Sequence, residues 1–242
     1  RPCVSLRTKL AIRRESRRWS LMLSQNSHST EQFRTSYAFR GEILETGYPR
    51  DDRLARSVVG DERIKISVNT ARRALGIVPE KRVLAYIPTW RDGGGAVDTL
   101  DVHALAGELG EDWVVVARGH TRSSGSYVGA DTRVVDASGH PDVNDVILAA
   151  EVLITDYSSV MFDAAVARVP MLFFVPDLES YRDRERGFTF DFGATAPGPL
   201  LTTRAEVVAA AIAGVPLTKA YATWCERYVP HDDGHATERV ID

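Results

Sequence analysis

Cysteine is scarce in this 242-residue chain: Cys3 and Cys225 are the two, far apart and without metal-ligand spacing. That rules out a disulfide-stapled scaffold and suits a reducing cytoplasm. No apolar run approaches the roughly 18 residues of a membrane span. No signal peptide is visible, and the chain does not open on methionine, which predicts a portion of a longer protein. Aromatic residues make up 8% and form no base-stacking series beside the basic residues, which argues against nucleic acid as a partner. Neither the GK[ST] ending of a P-loop nor the GxGxxG spacing of a dinucleotide site occurs. Internal repeats and extended low-complexity tracts are missing too.

What is present is an ordinary globular composition, 44% hydrophobic and 26% charged, on a chain long enough to bury a core unaided. The net charge of −3 conceals an uneven distribution. Residues 1–18 hold seven basic side chains against one acidic, Glu15. A basic head on an acidic body is either a solvated segment or a surface for anionic lipid, with Arg13, Arg14, Arg17 and Arg18 as the contacts.

Residues 1–45 show little regular pattern beyond a short strand near 19–24 and a short helix near 30–39. Gly47 and Pro49 then punctuate the chain, and a boundary near residue 50 predicts a small segment 1–50 and a main domain 51–242. Within the latter, Ile64, Val68, Ala71 and Leu75 share a helical face that Gly76 closes. "RVLAYIPTW" reads as a strand stopped by Pro88, and "WVVVARGH" as a strand covered on both faces. Val102, Leu105, Ala106 and Leu109 form a helix stripe, as do Val143, Val146, Ile147 and Ala150. A strand at 152–155, a helix at 159–167 and a strand at 170–175 follow. A long loop to residue 200 precedes helices near 204–213, 218–228 and 235–242. This alternation predicts an α/β fold, a doubly wound parallel sheet of Rossmann-like type.

Ligands of such sheets collect at the carboxyl ends of the strands. Four polar clusters fall there: Thr89-Trp90-Arg91, Arg118-Gly119-His120, 136–144, and Thr155 to Ser159. In "VLITDYSSVMFDAA" five polar residues sit where one cap would suffice. Ser158 and Ser159 either cap the helix or hold phosphate against its unpaired N–H groups. Asp156 either holds the loop or accepts from a ligand hydroxyl. His120 is either structural or a phosphate donor and proton carrier. Arg118 can neutralise phosphate, although strand alternation turns it away from Gly119. The three glycines after Arg91 read as a connector. "HDDGHATERV" resembles metal spacing, yet Gly234 interrupts it, and Asp232 and Asp233 are natural caps for the helix that follows. Asp177, Glu179 and Asp183 form either a solvated loop face or a substrate contact.

The segments "GYPRDD", "YIPTWRD", "RGH", "DVNDVILAAEVLITDYSSVMFDAAVARVPMLFF", "DLESYRDRERGFTFDF", "PGP" and "DDGHATERV" together resemble the CDP-glycerol:poly(glycerophosphate) glycerophosphotransferases. The resemblance runs from Trp19 onward and is most specific over 142–192. It implies the C-terminal, nucleotide-binding domain of a GT-B architecture, with the N-terminal domain mostly absent. It implies transfer of glycerol phosphate from CDP-glycerol to the hydroxyl end of a lipid-linked, teichoic acid-like polymer, with CMP released; no resident cofactor or metal-ligand set is expected, and assistance by a divalent metal stays open. The implied location is cytoplasmic and peripheral, on the inner face of the plasma membrane. Ser158, Ser159, Asp156, Tyr157, Arg118, Thr89 and Trp90 would then bind nucleotide and phosphate, with His120 catalytic and Thr89 near the cytidine. Two departures stand out. The family's WHG-type motif is missing, which would leave half a site, and Asp51 replaces the usual asparagine of "GYPRND". The competing readings are a GT-B enzyme using a sugar nucleotide and a non-catalytic nucleotide-binding module.

Overall fold

A computed structural model describes residues 6–89, 100–119, 127, 129–184 and 187–242, with the backbone alone at 61, 63 and 184. The chain opens with α1 (Leu6–Ser16), β1 (Leu21–Ser24), α2 (Ser27–Thr35) and β2 (Glu42–Glu45). β1 and β2 pair in parallel as a separate two-stranded sheet, Leu21 opposite Glu42 through Ser24 opposite Glu45. Asn26 caps α2: its side chain accepts from Ser29 N–H at 2.8 Å. The same amide donates to Tyr228 O at 2.5 Å, so the cap also fastens this small sheet to the C-terminal helices.

A 3-10 turn over Pro49–Asp51 leads into α3 (Asp52–Ser57), α4 (Asp61–Ala74) and β3 (Arg82–Tyr86). Then come α5 (Val102–Leu109), β4 (Trp113–Ala117), β5 (Val134–Asp136), α6 (Val143–Ala149), β6 (Val152–Thr155), α7 (Val160–Val166) and β7 (Met171–Phe174). The chain finishes with α8 (Leu178–Arg184), α9 (Phe192–Thr195), β8 (Leu200–Leu201), α10 (Arg204–Ala213), α11 (Lys219–Tyr228) and α12 (Ala236–Ile241). The larger sheet has the order β5-β4-β3-β6-β7-β8, and every pairing in it is parallel.

Strand alternation divides the core into two layers. Val83, Ala85, Val114, Val116, Leu153, Met171 and Phe173 pack with α4, α6, α7 and α11 on one face. Leu84, Tyr86, Val115, Ala117, Ile154, Leu172 and Phe174 pack with α5 and α10 on the other. Leu84, Leu153 and Ile154 are fully buried, each contributing about 1.5–3 kcal/mol. This is the doubly wound α/β arrangement the alternation predicts.

Several elements lie where the periodicity is silent. α1 falls in a stretch that reads as irregular, because it is polar nearly all round. The loop expected between the 170–175 strand and residue 200 holds α8 and α9, both short. Gly198, in "PGP", runs so close to β7 that a Cβ there would lie 2.0 Å from Met171 O. Only glycine fits.

Asp232 and Asp233 do not cap α12. The Asp52 carboxylate does, accepting from Ala236 N–H at 2.8 Å and Thr237 N–H at 2.9 Å. Asp233 instead accepts from His235 N–H and pairs with Arg239. The Arg239 guanidinium also donates to Thr46 O at 2.8 Å, interlocking the chain on either side of residue 50.

Candidate functional site

Connections leave β3 toward β4 and β5 on one side, and β6 toward β7 and β8 on the other. The carboxyl ends of β3 and β6 therefore flank the point where the winding reverses, the place where open α/β sheets form a ligand crevice. The residues that follow these two strands are tied together by side chains. Ile87 N–H still bonds Ile154 O at 2.9 Å, but Pro88 has no N–H and cannot continue the ladder. Thr155, fully buried, donates its hydroxyl to Ile87 O at 2.7 Å. Asp156 Oδ1 then accepts from Thr89 N–H at 2.8 Å and from Tyr157 N–H at 2.6 Å. Asp156 thus holds the loop and fixes Thr89 at the crevice. The Thr89 hydroxyl oxygen is itself shut away from solvent and has no hydrogen-bond partner among the described residues.

Of the five polar residues from Thr155, the last of β6, to Ser159, the first three are consumed internally. Tyr157 is buried, its ring stacked on Tyr181 with centroids 4.0 Å apart and flanked by Phe188 and Phe192. Its hydroxyl donates to Asp177 Oδ1 at 2.8 Å. Tyr157 is therefore a tether between the β6–α7 and β7–α8 turns, with Asp177 as its anchor.

The two serines differ. Ser158 Oγ accepts from Val160 N–H at 3.3 Å, a local turn bond to the first N–H of α7. Ser159 is exposed and makes no side-chain cap bond. α7 starts at Val160 and spans only 7 residues. An anion here would rely on hydroxyls and local N–H groups more than on a helix dipole.

β4 ends at the same rim. Arg118 Nη1 donates to Ala137 O at 2.8 Å and His140 O at 2.5 Å, and Gly119 N–H donates to Ser138 Oγ at 3.0 Å. Arg118 thereby braces the turn between β5 and α6, a positional task that sequence alone does not reveal. His140 Nε2 lies 2.8 Å from Asp145 Oδ2, and Asp145 also pairs with Arg53. Burial works to raise the Asp145 carboxyl, but the hydrogen bonds from His140 and Arg53 outweigh it and hold the group below the usual carboxylate range. Trp90, Arg91 and His120 lie outside the described residues. Among the described residues, no group of three or more His, Cys, Asp or Glu side chains is arranged to hold a metal ion.

The sequence profile of the CDP-glycerol:poly(glycerophosphate) glycerophosphotransferases matches residues 4–242. The chain belongs to that family. Among its curated relatives, the teichoic acid poly(glycerol phosphate) polymerase of Bacillus spizizenii is 34% identical over 244 residues, covering 95% of this chain and 60% of the relative. A teichoic acid glycerol-phosphate transferase of Staphylococcus aureus is 33% identical over 242 residues, covering 95% of this chain and 61% of the relative. A solved structure of the wall teichoic acid polymerase TagF, a variant soaked with CDPG, superposes with a TM-score of 0.84 at 29% identity. That superposition covers 99% of this chain and 60% of TagF. This glycerophosphotransferase-family chain therefore spans about 60% of the length of these relatives. Its switch-point residues all lie inside the matched span.

Proposed function

We propose that this chain is the nucleotide-binding part of a CDP-glycerol glycerophosphotransferase. In that reaction an acceptor hydroxyl attacks the phosphorus bearing glycerol. The new O–P bond forms as the bond to CMP breaks, and the hydroxyl loses its proton. The task for the protein is alignment of the nucleophile and dispersal of charge over phosphate oxygens. Ser159, with Ser158 behind it, binds the diphosphate at the end of β6. Thr89 and Trp90 border the cytidine. His120 stabilises the developing charge or carries the proton. Asp156, Tyr157 and Arg118 position these groups. No resident cofactor enters the scheme. The acceptor is a lipid-linked polyol phosphate polymer, and Arg13, Arg14, Arg17 and Arg18 of the basic N-terminal segment contact anionic headgroups.

The observation that carries the reading is the Asp156–Thr89 bridge across the switch point, with an uncommitted Ser159 hydroxyl beside it. Calorimetry of the chain with CDP-glycerol, CDP-ribitol and a UDP-sugar tests it. CDP-glycerol is expected to bind, and Ser159→Ala to weaken that binding severalfold. Binding of the UDP-sugar with no response to either CDP-polyol would overturn the assignment.

A further inference from the structure

Gly47 bends the chain at φ 77°, and a Cβ there would lie 2.7 Å from His231 O and 2.9 Å from Asp232 Oδ1. The 48–52 turn that follows is pressed between α7 and the loop after α11, and its carboxyl groups are crowded. Asp51 is 1% exposed. Its Oδ2 accepts from Gln25 Nε2 at 3.3 Å. Its Oδ1 is buried without a hydrogen-bond donor among the described residues, and Arg50 Nε lies 3.6 Å from it. Asp232 Oδ1 accepts from Tyr48 N–H at 2.9 Å and the Gln25 amide lies beside the same carboxyl, while its Oδ2 is buried and has no hydrogen-bond partner among the described residues. Asp163, on α7, takes the other end of Arg50, Nη2 to Oδ1 at 2.9 Å. Asp51 and Asp163 thus share one guanidinium, that of Arg50, whose charge also reaches Asp232. Arg239 of α12 approaches from the far side, but its donors go to Asp233, Thr46 O and His231 O.

Two buried acceptor oxygens without donors, in a site with a surplus of negative charge, are expensive. A single proton resolves both difficulties. It removes one charge and turns one oxygen into a donor toward its neighbour, the arrangement that like-charged carboxyls adopt when they cannot both ionise. We propose that one proton shared among Asp51, Asp163 and Asp232 clasps the 48–52 turn to α7. Asp51 is then a positioning residue for the helix that carries Ser158 and Ser159 at its start. Burial and the neighbouring Asp163 act in the same direction, pushing the Asp51 carboxyl up to about 8 against the pull of Arg50. Burial likewise raises Asp232. The positioning role rests on the proposed function; the shared proton does not.

Infrared spectroscopy of the chain reads the proton directly. A neutral carboxylic acid carbonyl band is expected at pH 7, fading as the pH passes about 8. Asp51→Asn is expected to remove the band while keeping the fold, and Asp232→Asn serves as the second variant if the first does not fold. Absence of the band in the unsubstituted chain overturns the clasp, whether the carboxyls are simply ionised or neutralised by a cation. Calorimetry with CDP-glycerol at pH 7 and pH 9 reads the positioning. Binding is expected to weaken severalfold at pH 9 in the native chain and to be equal at both values in Asp51→Asn. An equal pH response in both proteins overturns the positioning role. If CDP-glycerol binds at neither pH, the functional reading fails while the infrared band still decides the clasp.

Discussion

Thr155 and Asp156 each replace a piece of backbone ladder that Pro88 interrupts. Thr155→Val keeps the shape and removes the bond to Ile87 O, a loss of about 1 kcal/mol. Asp156→Ala strips partners from the Thr89 and Tyr157 N–H groups, at about 1–3 kcal/mol for each one left buried and unpaired. Chemical denaturation should therefore rank Asp156→Ala well below Thr155→Val in stability. The serines are expected to separate the other way. Ser158→Ala loses one local hydrogen bond, worth about 0.5–1.5 kcal/mol. Ser159→Ala, exposed and uncommitted, should shift stability by less than about 0.5 kcal/mol while carrying the larger loss of CDP-glycerol affinity. A residue whose hydroxyl does nothing for the fold and much for the ligand is the signature sought at this position. At Asp51 the sign of the pH effect is fixed by a folded value raised above the ordinary carboxylate value. Its contribution is complete below the unfolded value near 3.8 and is lost as the pH climbs to about 8. The thermal midpoint of the native chain should fall over that interval from this source, and Asp51→Asn should remove the slope.

The elements vary in how plainly the sequence announces them. β3, β4, β6 and β7 are apolar runs bounded by glycine, proline or polar turns, and each is legible within a few residues. α1 is not, having no apolar stripe to detect, and neither are α8 and α9, which are too short to show a period. Ser158 and Ser159 are legible because the polarity at the end of β6 exceeds what a cap requires. The work of Arg118 and Tyr157 is hidden, since their partners, Ala137 O, His140 O and Asp177, are fixed only by folding. The same holds for α12, whose cap comes from Asp52, 184 positions away in the chain. Burial tends to raise the Asp52 carboxyl, but its bonds to Thr237 and Ala236 bring it below the ordinary value. Its support for α12 is therefore present above the unfolded value and lost as the pH falls through the lowered folded one. Asp52→Ala is expected to cost about 1 kcal/mol and to speed hydrogen exchange in 236–241 ahead of the sheet.

At the scale of the molecule, α1 leaves Leu6 72% and Leu10 56% exposed beside its arginines. Among the described residues no helix is long and apolar enough to cross a membrane. Replacing Arg13, Arg14, Arg17 and Arg18 with serine should reduce sedimentation with anionic vesicles, and added salt should do the same to the native chain. Equal sedimentation would dismiss these arginines. The pairing of β3 with β6 has a further consequence, in the order of folding. The Thr155–Ile87 bond joins positions 68 residues apart, so the two walls of the crevice meet only after a long loop has closed. Until then the β3, β4 and β5 portion has nothing to bind with, and a nascent chain stopped short of residue 160 should be blind to nucleotide. Ligand should accordingly slow unfolding of the native chain while leaving its earliest collapse untouched.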